Sequence, residues 1–85
     1  MITDYTLNTL IALAEAYEGC IPFHLAGISQ VRTDEDLNVY IDMEDGRTLL
    51  PHEADEAQIN EAIMLWRNDH GPYFQKILGA MMSDH

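Results

Sequence analysis

Residues 37–50, LNVYIDMEDGRTLL, determine the fold of this chain. Two classes of side chain alternate along the first half, the apolar Leu37, Val39, Ile41 and Met43 and the intervening Asn38, Tyr40 and Asp42. This period of two predicts a strand with one apolar and one polar face. Asp45-Gly46 predicts a tight hairpin turn, because both central residues of a type I′ turn need a positive φ. Arg47 to Leu50 is then the returning strand, which Pro51 ends.

Another strand is predicted upstream at Ile28 to Thr33, with Asp34-Glu35-Asp36 as the turn that follows it. The three strands make an antiparallel meander that is covered on one face. The segment before them, Cys20 to Leu25, is predicted to be irregular, because Pro22 lacks an N–H and biases the preceding residue away from helix.

An amphipathic helix is predicted over Asp4 to Tyr17. Its apolar stripe consists of Leu7, Leu10, Ile11, Ala14 and Tyr17, and Leu13 widens it. Thr3 or Asp4 can accept hydrogen bonds from the free N–H groups of the first turn. Gly19 stands where the chain leaves a helix through a left-handed residue.

A second helix is predicted over Asp55 to Asn68, with Asp55 and Gln58 spaced like a capping box. Its core stripe consists of Ile59, Ala62, Ile63 and Trp66, with Trp66 as the main anchor. His70-Gly71-Pro72 ends this helix and starts a short last one, whose core positions are Phe74, Ile77, Leu78 and Met81. The fold class is therefore α+β: an N-terminal helix, a three-stranded antiparallel meander and two C-terminal helices packed on one sheet face.

Composition limits the function classes. Eighty-five residues make one small acidic domain, residues 1–85, and 47% hydrophobic residues argue against a disordered acidic tail. Four Lys and Arg against fifteen Asp and Glu give a net charge of −11, which disfavours direct binding to nucleic acid or to anionic membranes. Cys20 is the single cysteine and cannot form an internal disulfide. With neither a signal peptide nor a membrane-spanning stretch in the sequence, we expect a cytoplasmic protein.

The acidic residues are concentrated between Asp34 and Glu61, where ten acids face one base, Arg47. Such a cluster either keeps a small protein soluble or attracts a cationic partner. Tyr40 lies on the polar strand face among them and is either a binding anchor or a cross-strand packing residue. The candidate partner-binding residues are Asp34, Glu35, Asp36, Tyr40, Asp42, Glu44, Asp45, Glu53, Asp55 and Glu56.

No metal, cofactor or catalytic motif is expected. An EF-hand loop centred on Gly46 fails because Ile41 and His52 occupy ligand positions, although a looser cation site at Asp42, Glu44 and Asp45 stays open. The four histidines, His24, His52, His70 and His85, lack the spacing of zinc ligands. Cys20 and His24 form a short-range pair, but a chain of this charge works against a thiolate, so we expect Cys20 to be a small buried apolar residue.

Two function hypotheses follow. In size, charge and α+β character the chain resembles phage-encoded proteins that block host defence complexes, among them anti-CRISPR and anti-restriction proteins. The first hypothesis is therefore a non-enzymatic inhibitor or decoy, from a phage or mobile element, that binds a Lys/Arg-rich nucleic-acid-binding protein as a nucleic-acid mimic.

The alternative is an interaction module, such as an antitoxin, an immunity protein or an adaptor, that acts through apolar helical surface. Its apolar residues beyond the needs of one small core are Met64, Leu65, Met81 and Met82. A homodimer through the C-terminal helices would bury them.

Overall fold

Four antiparallel strands form one sheet whose order follows the chain. They are β1 (Cys20–Leu25), β2 (Ile28–Thr33), β3 (Val39–Met43) and β4 (Thr48–Leu49). The helices are α1 (Asp4–Ala16), α2 (Glu56–Asp69) and α3 (Gly71–Met82), and a short 3-10 helix spans Pro51–Glu53. These elements belong to a computed structural model that describes residues 2–82. The predicted α+β class, with its N-terminal helix, antiparallel meander and two C-terminal helices, is confirmed.

The sheet has one more strand than the sequence predicts, because the Cys20–Leu25 segment is β1. Ile21 and Phe23 are buried while Cys20 and Pro22 are exposed, which is the alternation of a half-buried strand. The Thr33 N–H donates to the carbonyl of Gly19 at 2.9 Å. Hydrogen-bonded and non-hydrogen-bonded pairs alternate along the two strands from that pair. Pro22, opposite Gln30, is therefore in a non-hydrogen-bonded pair, where a backbone N–H would face away from β2. Proline is tolerated there because β1 is an edge strand.

The prediction that Cys20 is buried is wrong. Its side chain lies on the open face of the sheet, where its Sγ lies 3.3 Å from the Oε1 of Gln30. The burial that a small apolar residue would gain is available only on the opposite face of β1, which Ile21 and Phe23 occupy.

Leu37 is the other correction in the sheet, because the alternation of β3 starts two residues later than predicted. Leu37 is 49% exposed and its φ is +62°. It closes the β2–β3 loop, where its N–H donates to the carbonyl of Asp34 at 3.1 Å. The core side of β3 therefore begins at Val39, followed by Ile41 and Met43.

The helix ends follow local signals. Thr3 is the N-cap of α1 and accepts from the Thr6 N–H, while Asp55 is the N-cap of α2 and accepts from the Ala57 N–H. Gly19 has φ +95°, the left-handed conformation expected after α1. Gln58 does not complete a capping box, because its Nε2 donates to the carbonyl of Ala26 in the β1–β2 turn at 2.9 Å.

The core lies between one face of the sheet and the helices, with α1 on β1, β2 and β3 and α2 on β1. Trp66 is 2% exposed, as expected of the main anchor, and its ring is surrounded by other rings. These belong to Tyr17, Phe23, His70, Tyr73 and Phe74. Four residues predicted on the core stripes are only partly buried, namely Leu7, Ile11, Tyr17 and Ile63. The predictions for the side chains of Leu78, Met81, Met82 and His85 lie outside the described part of the chain.

The two ends of the sheet carry different connections between the strands. The first, which we call the turn end, has the β1–β2 and β3–β4 turns, where the Glu44 N–H donates to the carbonyl of Gly27 at 3.0 Å. Both α1 and α2 begin there, because Glu56 bonds Thr3 and Gln58 bonds Ala26. The other, the loop end, holds the β2–β3 loop, residues 34–38. Both helices finish there, where the ring of Tyr17 lies 6.1 Å from that of Trp66.

Over residues 2–82, no helix combines the length and the apolar character that crossing a membrane requires.

Candidate protein-binding surfaces

The loop end is a concentrated acidic surface. A shallow depression there is lined by Glu15, Glu18, Gly19, Thr33, Asp34, Glu35 and Leu37, and Asp36 follows on the same loop. None of these lining residues is basic. The C-terminus of α1 points to this end and adds the negative end of its helix dipole. The negative end of α2 lies beside the first turn of α3, which begins at Gly71 and has the opposite sign. The α1 dipole and the acidic side chains therefore contribute negative potential of the same sign.

Asp34 has a structural task within this surface. Its carboxylate accepts hydrogen bonds from the backbone N–H groups of Asp36 and Asn38 at 2.9 Å each. It also accepts from the Nδ2 of Asn38 and the hydroxyl of Tyr40, both at 3.1 Å. These hydrogen bonds lower the pKa of Asp34, and the bond from the Asn38 N–H contributes most. Asp34 thus fixes the loop, whereas the side chains of Glu35 and Asp36 are exposed and make no hydrogen bond within the described residues.

Most of the candidate acids at the turn end and on α2 are engaged locally. Asp45 accepts from the Nε of Arg47 at 2.7 Å, and this hairpin-turn pair is largely exposed. Glu53 accepts from the Leu50 N–H at 2.9 Å, and Asp55 caps α2. Glu44 is exposed, and its side chain has no partner among residues 2–82.

Glu56 joins the first turns of α1 and α2. It accepts from the Thr3 N–H and the Thr6 hydroxyl, both at 2.9 Å, and from the Nδ2 of Asn60 at 3.1 Å. Desolvation opposes its ionisation, but these hydrogen bonds outweigh it and lower the pKa of Glu56. Glu56 therefore holds the two helices together and meets the positive ends of their dipoles.

Asp42 lies between the two ends, on the open face of the sheet. It accepts from the Nε and a terminal nitrogen of Arg32 at 2.7 and 3.0 Å, from Gln30 at 2.7 Å and from Thr48 at 2.8 Å. The bond from Arg32 is the main reason that the pKa of Asp42 falls to about 2. The Arg32 guanidinium also lies 5.2 Å from the centre of the Tyr40 ring. Tyr40 is therefore packed across the strands, and Asp42 is neutralised by its partner.

The ten predicted partner-binding residues do not share one surface. Asp34, Glu35 and Asp36 lie at the loop end, and Tyr40 reaches that end through its hydroxyl. The remaining acids lie on the sheet face, in the β3–β4 turn, in the 3-10 helix or at the start of α2. The carboxylates of the looser cation site, Asp42, Glu44 and Asp45, do not act together either. Asp42 is paired with Arg32 and Asp45 with Arg47. Over residues 2–82, no three His, Cys, Asp or Glu side chains are grouped as metal ligands would be.

Glu15 and Glu18 were missed by the sequence analysis, although a signal was present. Acidic residues at the end of a helix face the negative end of its dipole, and such a placement costs stability. α1 has one glutamate in its last turn and one just after it, and no basic residue in that turn. This placement is unfavourable for the stability of the helix, so it could have indicated a binding role.

A second surface lies among the helices. A groove of about 260 Å³ is lined by Tyr5, Thr6, Thr9, Asn60, Ile63, Met64, Arg67 and Phe74. Tyr5 is 70% and Met64 is 55% exposed. The sequence analysis identified Met64 as surplus to the core but missed Tyr5 and Arg67. The Arg67 guanidinium lies 5.6 Å from the centre of the Phe74 ring.

No family model, no curated protein and no solved structure matches this chain, so a function has to be inferred from these surfaces themselves.

Proposed function

We propose that this chain is a non-enzymatic binding protein whose loop end binds a Lys/Arg-rich surface of another protein. Such a surface is typical of a nucleic-acid-binding groove, so the protein would act as an inhibitor or decoy of a nucleic-acid-binding protein. The observation that carries the proposal is the convergence of five carboxylates and the C-terminus of α1 on one end of the sheet. This arrangement attracts cations and speeds the association of a basic partner.

Within this surface the residues have different roles. Glu15, Glu18, Glu35 and Asp36 are the contact residues, because their side chains are exposed and make no hydrogen bond within the described residues. Asp34 positions the loop through its four hydrogen bonds. Leu37 supplies an exposed apolar side chain in the same depression. A leucine with φ +62° is strained, and strain of this kind is often kept where a residue is needed for binding.

The experiment starts by capturing partners from host-cell lysate at low and high salt and identifying them by mass spectrometry. The dissociation constant of a captured basic protein is then measured for two matched variants. Glu35→Lys changes the loop end and Glu44→Lys changes the turn end, and both replace an exposed glutamate with no side-chain partner in the described structure. The two variants alter the net charge equally.

We expect Glu35→Lys to weaken binding about tenfold or more and Glu44→Lys to weaken it much less, because screened charges act over about 8 Å at physiological salt. Equal weakening by both variants would mean that net charge alone attracts the partner. Unchanged binding by Glu35→Lys would exclude the loop end as the site. Asp34 is left intact, since its replacement would disturb the loop itself.

The second candidate function is the interaction module that acts through apolar helical surface. The exposure of Tyr5 and Met64 beside the groove favours it. A partner that stays bound at high salt, and that both Lys variants bind normally, would point to this surface. The inhibitor class and the phage or mobile-element source remain predictions from size and charge, and the cytoplasmic location remains a prediction from the lack of a signal-peptide or membrane-spanning pattern in the sequence.

A further inference from the structure

The outward side of α2 carries a stripe of exposed residues, in which Asn60 also donates to Glu56 and Arg67 also lies over the Phe74 ring. Six of the seven exposed residues of this helix recur at spacings of three or four, so they form one stripe. They are Ala57, Asn60, Glu61, Met64, Arg67 and Asn68. Met64 lies at the centre of the stripe, with the half-buried Ile63 and Leu65 on either side of it.

The stripe is mirrored about Met64. Glu61 precedes Met64 by three residues and Arg67 follows it by three, and Asn60 and Asn68 stand four residues away on either side. In a helix that crosses an antiparallel copy of itself, residues equally far before and after the crossing point lie at the same height. The opposite charges of Glu61 and Arg67 would then meet. We propose that α2 packs antiparallel against α2 of a second copy, across a twofold axis at Met64.

The charges of the stripe fit this second copy. Arg32 and Arg47 are paired with aspartates, but Arg67 has no carboxylate partner within residues 2–82. Glu61 has no side-chain partner in the same range. The two residues are six positions apart, outside the spacing of three or four at which residues of one helix pair. Across the twofold axis, Arg67 faces Glu61 of the partner subunit, and the symmetry forms this pair twice.

The apolar side chains add contact area to the charges. Met64 meets Met64 of the partner subunit at the axis. The exposed Tyr5 of α1 flanks the same groove as Met64 and Arg67, so the contact extends beyond one helix. The surface is independent of the loop end, and either proposal can therefore fail without the other.

Two chains of net charge −11 repel each other, which limits the strength of such a dimer at low salt. Salt screens this repulsion, so we expect dimerisation to strengthen between 20 and 300 mM NaCl, estimated from a Debye length that falls below about 10 Å in this range. The binding of a basic partner at the loop end would change in the opposite direction.

The test measures the mass in solution by sedimentation equilibrium over a range of concentrations. The wild type is expected to move from 9.7 kDa towards twice that mass as the concentration rises. Arg67→Glu and Glu61→Arg should each weaken the dimer about tenfold, because each breaks two pairs and places like charges together. The double variant Glu61→Arg/Arg67→Glu should restore the wild-type dissociation constant to within about threefold, as expected for one coupled pair.

This design separates a specific contact from general repulsion. Arg67→Glu makes the chain more negative and Glu61→Arg makes it less negative, yet both are expected to weaken the dimer. Lys76→Glu serves as the control, since it repeats the charge change of Arg67→Glu on the exposed surface of α3. All three positions are exposed, and circular dichroism checks that each variant is folded. A wild type that stays monomeric at all concentrations and salts, or a double variant that is no better than the single ones, would overturn the proposal.

Discussion

At the scale of single residues, the acidic side chains divide into those that build the fold and those that face solvent unpaired. Asp34, Asp42 and Glu56 each accept several hydrogen bonds. Glu35 and Asp36, next to Asp34 in sequence, accept none with their side chains in the described structure. Acidity alone therefore does not identify a binding residue in this chain.

Asp42 gives a prediction at this scale. Its pKa is about 2 in the folded protein against an ordinary 3.8, so its ionised form favours folding. That contribution is complete above pH 3.8 and is lost as the pH falls through 2; it is on the order of 2 kcal/mol. Asp42→Asn should therefore lower the free energy of unfolding by about 1–2 kcal/mol at pH 7 and hardly at all near pH 2. Urea unfolding at the two pH values measures this.

Asp45→Asn is the matched control for that experiment. Asp45 also pairs with an arginine at 2.7 Å, but both side chains are more than half exposed. Exposed pairs contribute little, so its unfolding curve should overlay the wild type. An equal loss from both variants would show that the network around Asp42 adds nothing beyond a surface pair.

At the scale of elements, some ends of the helices and strands are decided by residues close in sequence, and others by contacts with distant parts of the chain. Thr3, Gly19 and Asp55 were predicted correctly because a cap is decided by residues within one turn of it. β1 was missed because the meaning of Pro22 depends on whether its strand lies at an edge. Leu37 was misplaced because Asp34 extends the loop by hydrogen bonds that the alternation of residue types does not reveal.

Gly19 tests the exit from α1. Its φ of +95° is costly for any residue with a Cβ, although a Cβ there would meet only Thr33 atoms at 3.6 and 3.7 Å. Gly19→Ala should therefore lower the free energy of unfolding by about 1–2 kcal/mol through backbone strain alone. Gly79→Ala is the control, because Gly79 lies inside α3 with nothing near its Cβ position. That change should raise the free energy by up to about 1 kcal/mol. Equal effects in chemical denaturation would contradict this view of the α1 exit.

At the scale of the whole molecule, the distribution of charge depends on topology. The loop end combines α1 residues with the β2–β3 loop, and these meet only because Gly19 pairs with Thr33 in the assembled sheet. The sequence analysis therefore identified the acidic segment but could not show that its residues lie at two opposite ends of the sheet. It likewise found Met64 without Tyr5, since α1 and α2 come together only in the folded chain, through contacts such as that of Thr6 with Glu56.

Net charge also affects stability at this scale. Fifteen acidic residues against four basic ones repel one another in the compact state, and salt screens that repulsion. We expect the melting temperature at pH 7 to rise by about 5 °C between 20 and 500 mM NaCl, equivalent to about 1 kcal/mol for a domain of this size. Repeating the melts at several protein concentrations distinguishes this effect from dimerisation, which depends on concentration. A constant or falling melting temperature would mean that the ion pairs outweigh the repulsion.

The order of the strands has a consequence for how quickly the chain folds. Every strand pairs with its neighbour in sequence, so the sheet needs no crossover connection. Short turns at Ala26-Gly27 and residues 44–47 close these pairs at a small loss of chain entropy. Topologies dominated by such local pairings cross a low folding barrier. The sheet can thus form early, before α2 and α3 are in place, and its hydrophobic face then stays uncovered until the helices pack on it.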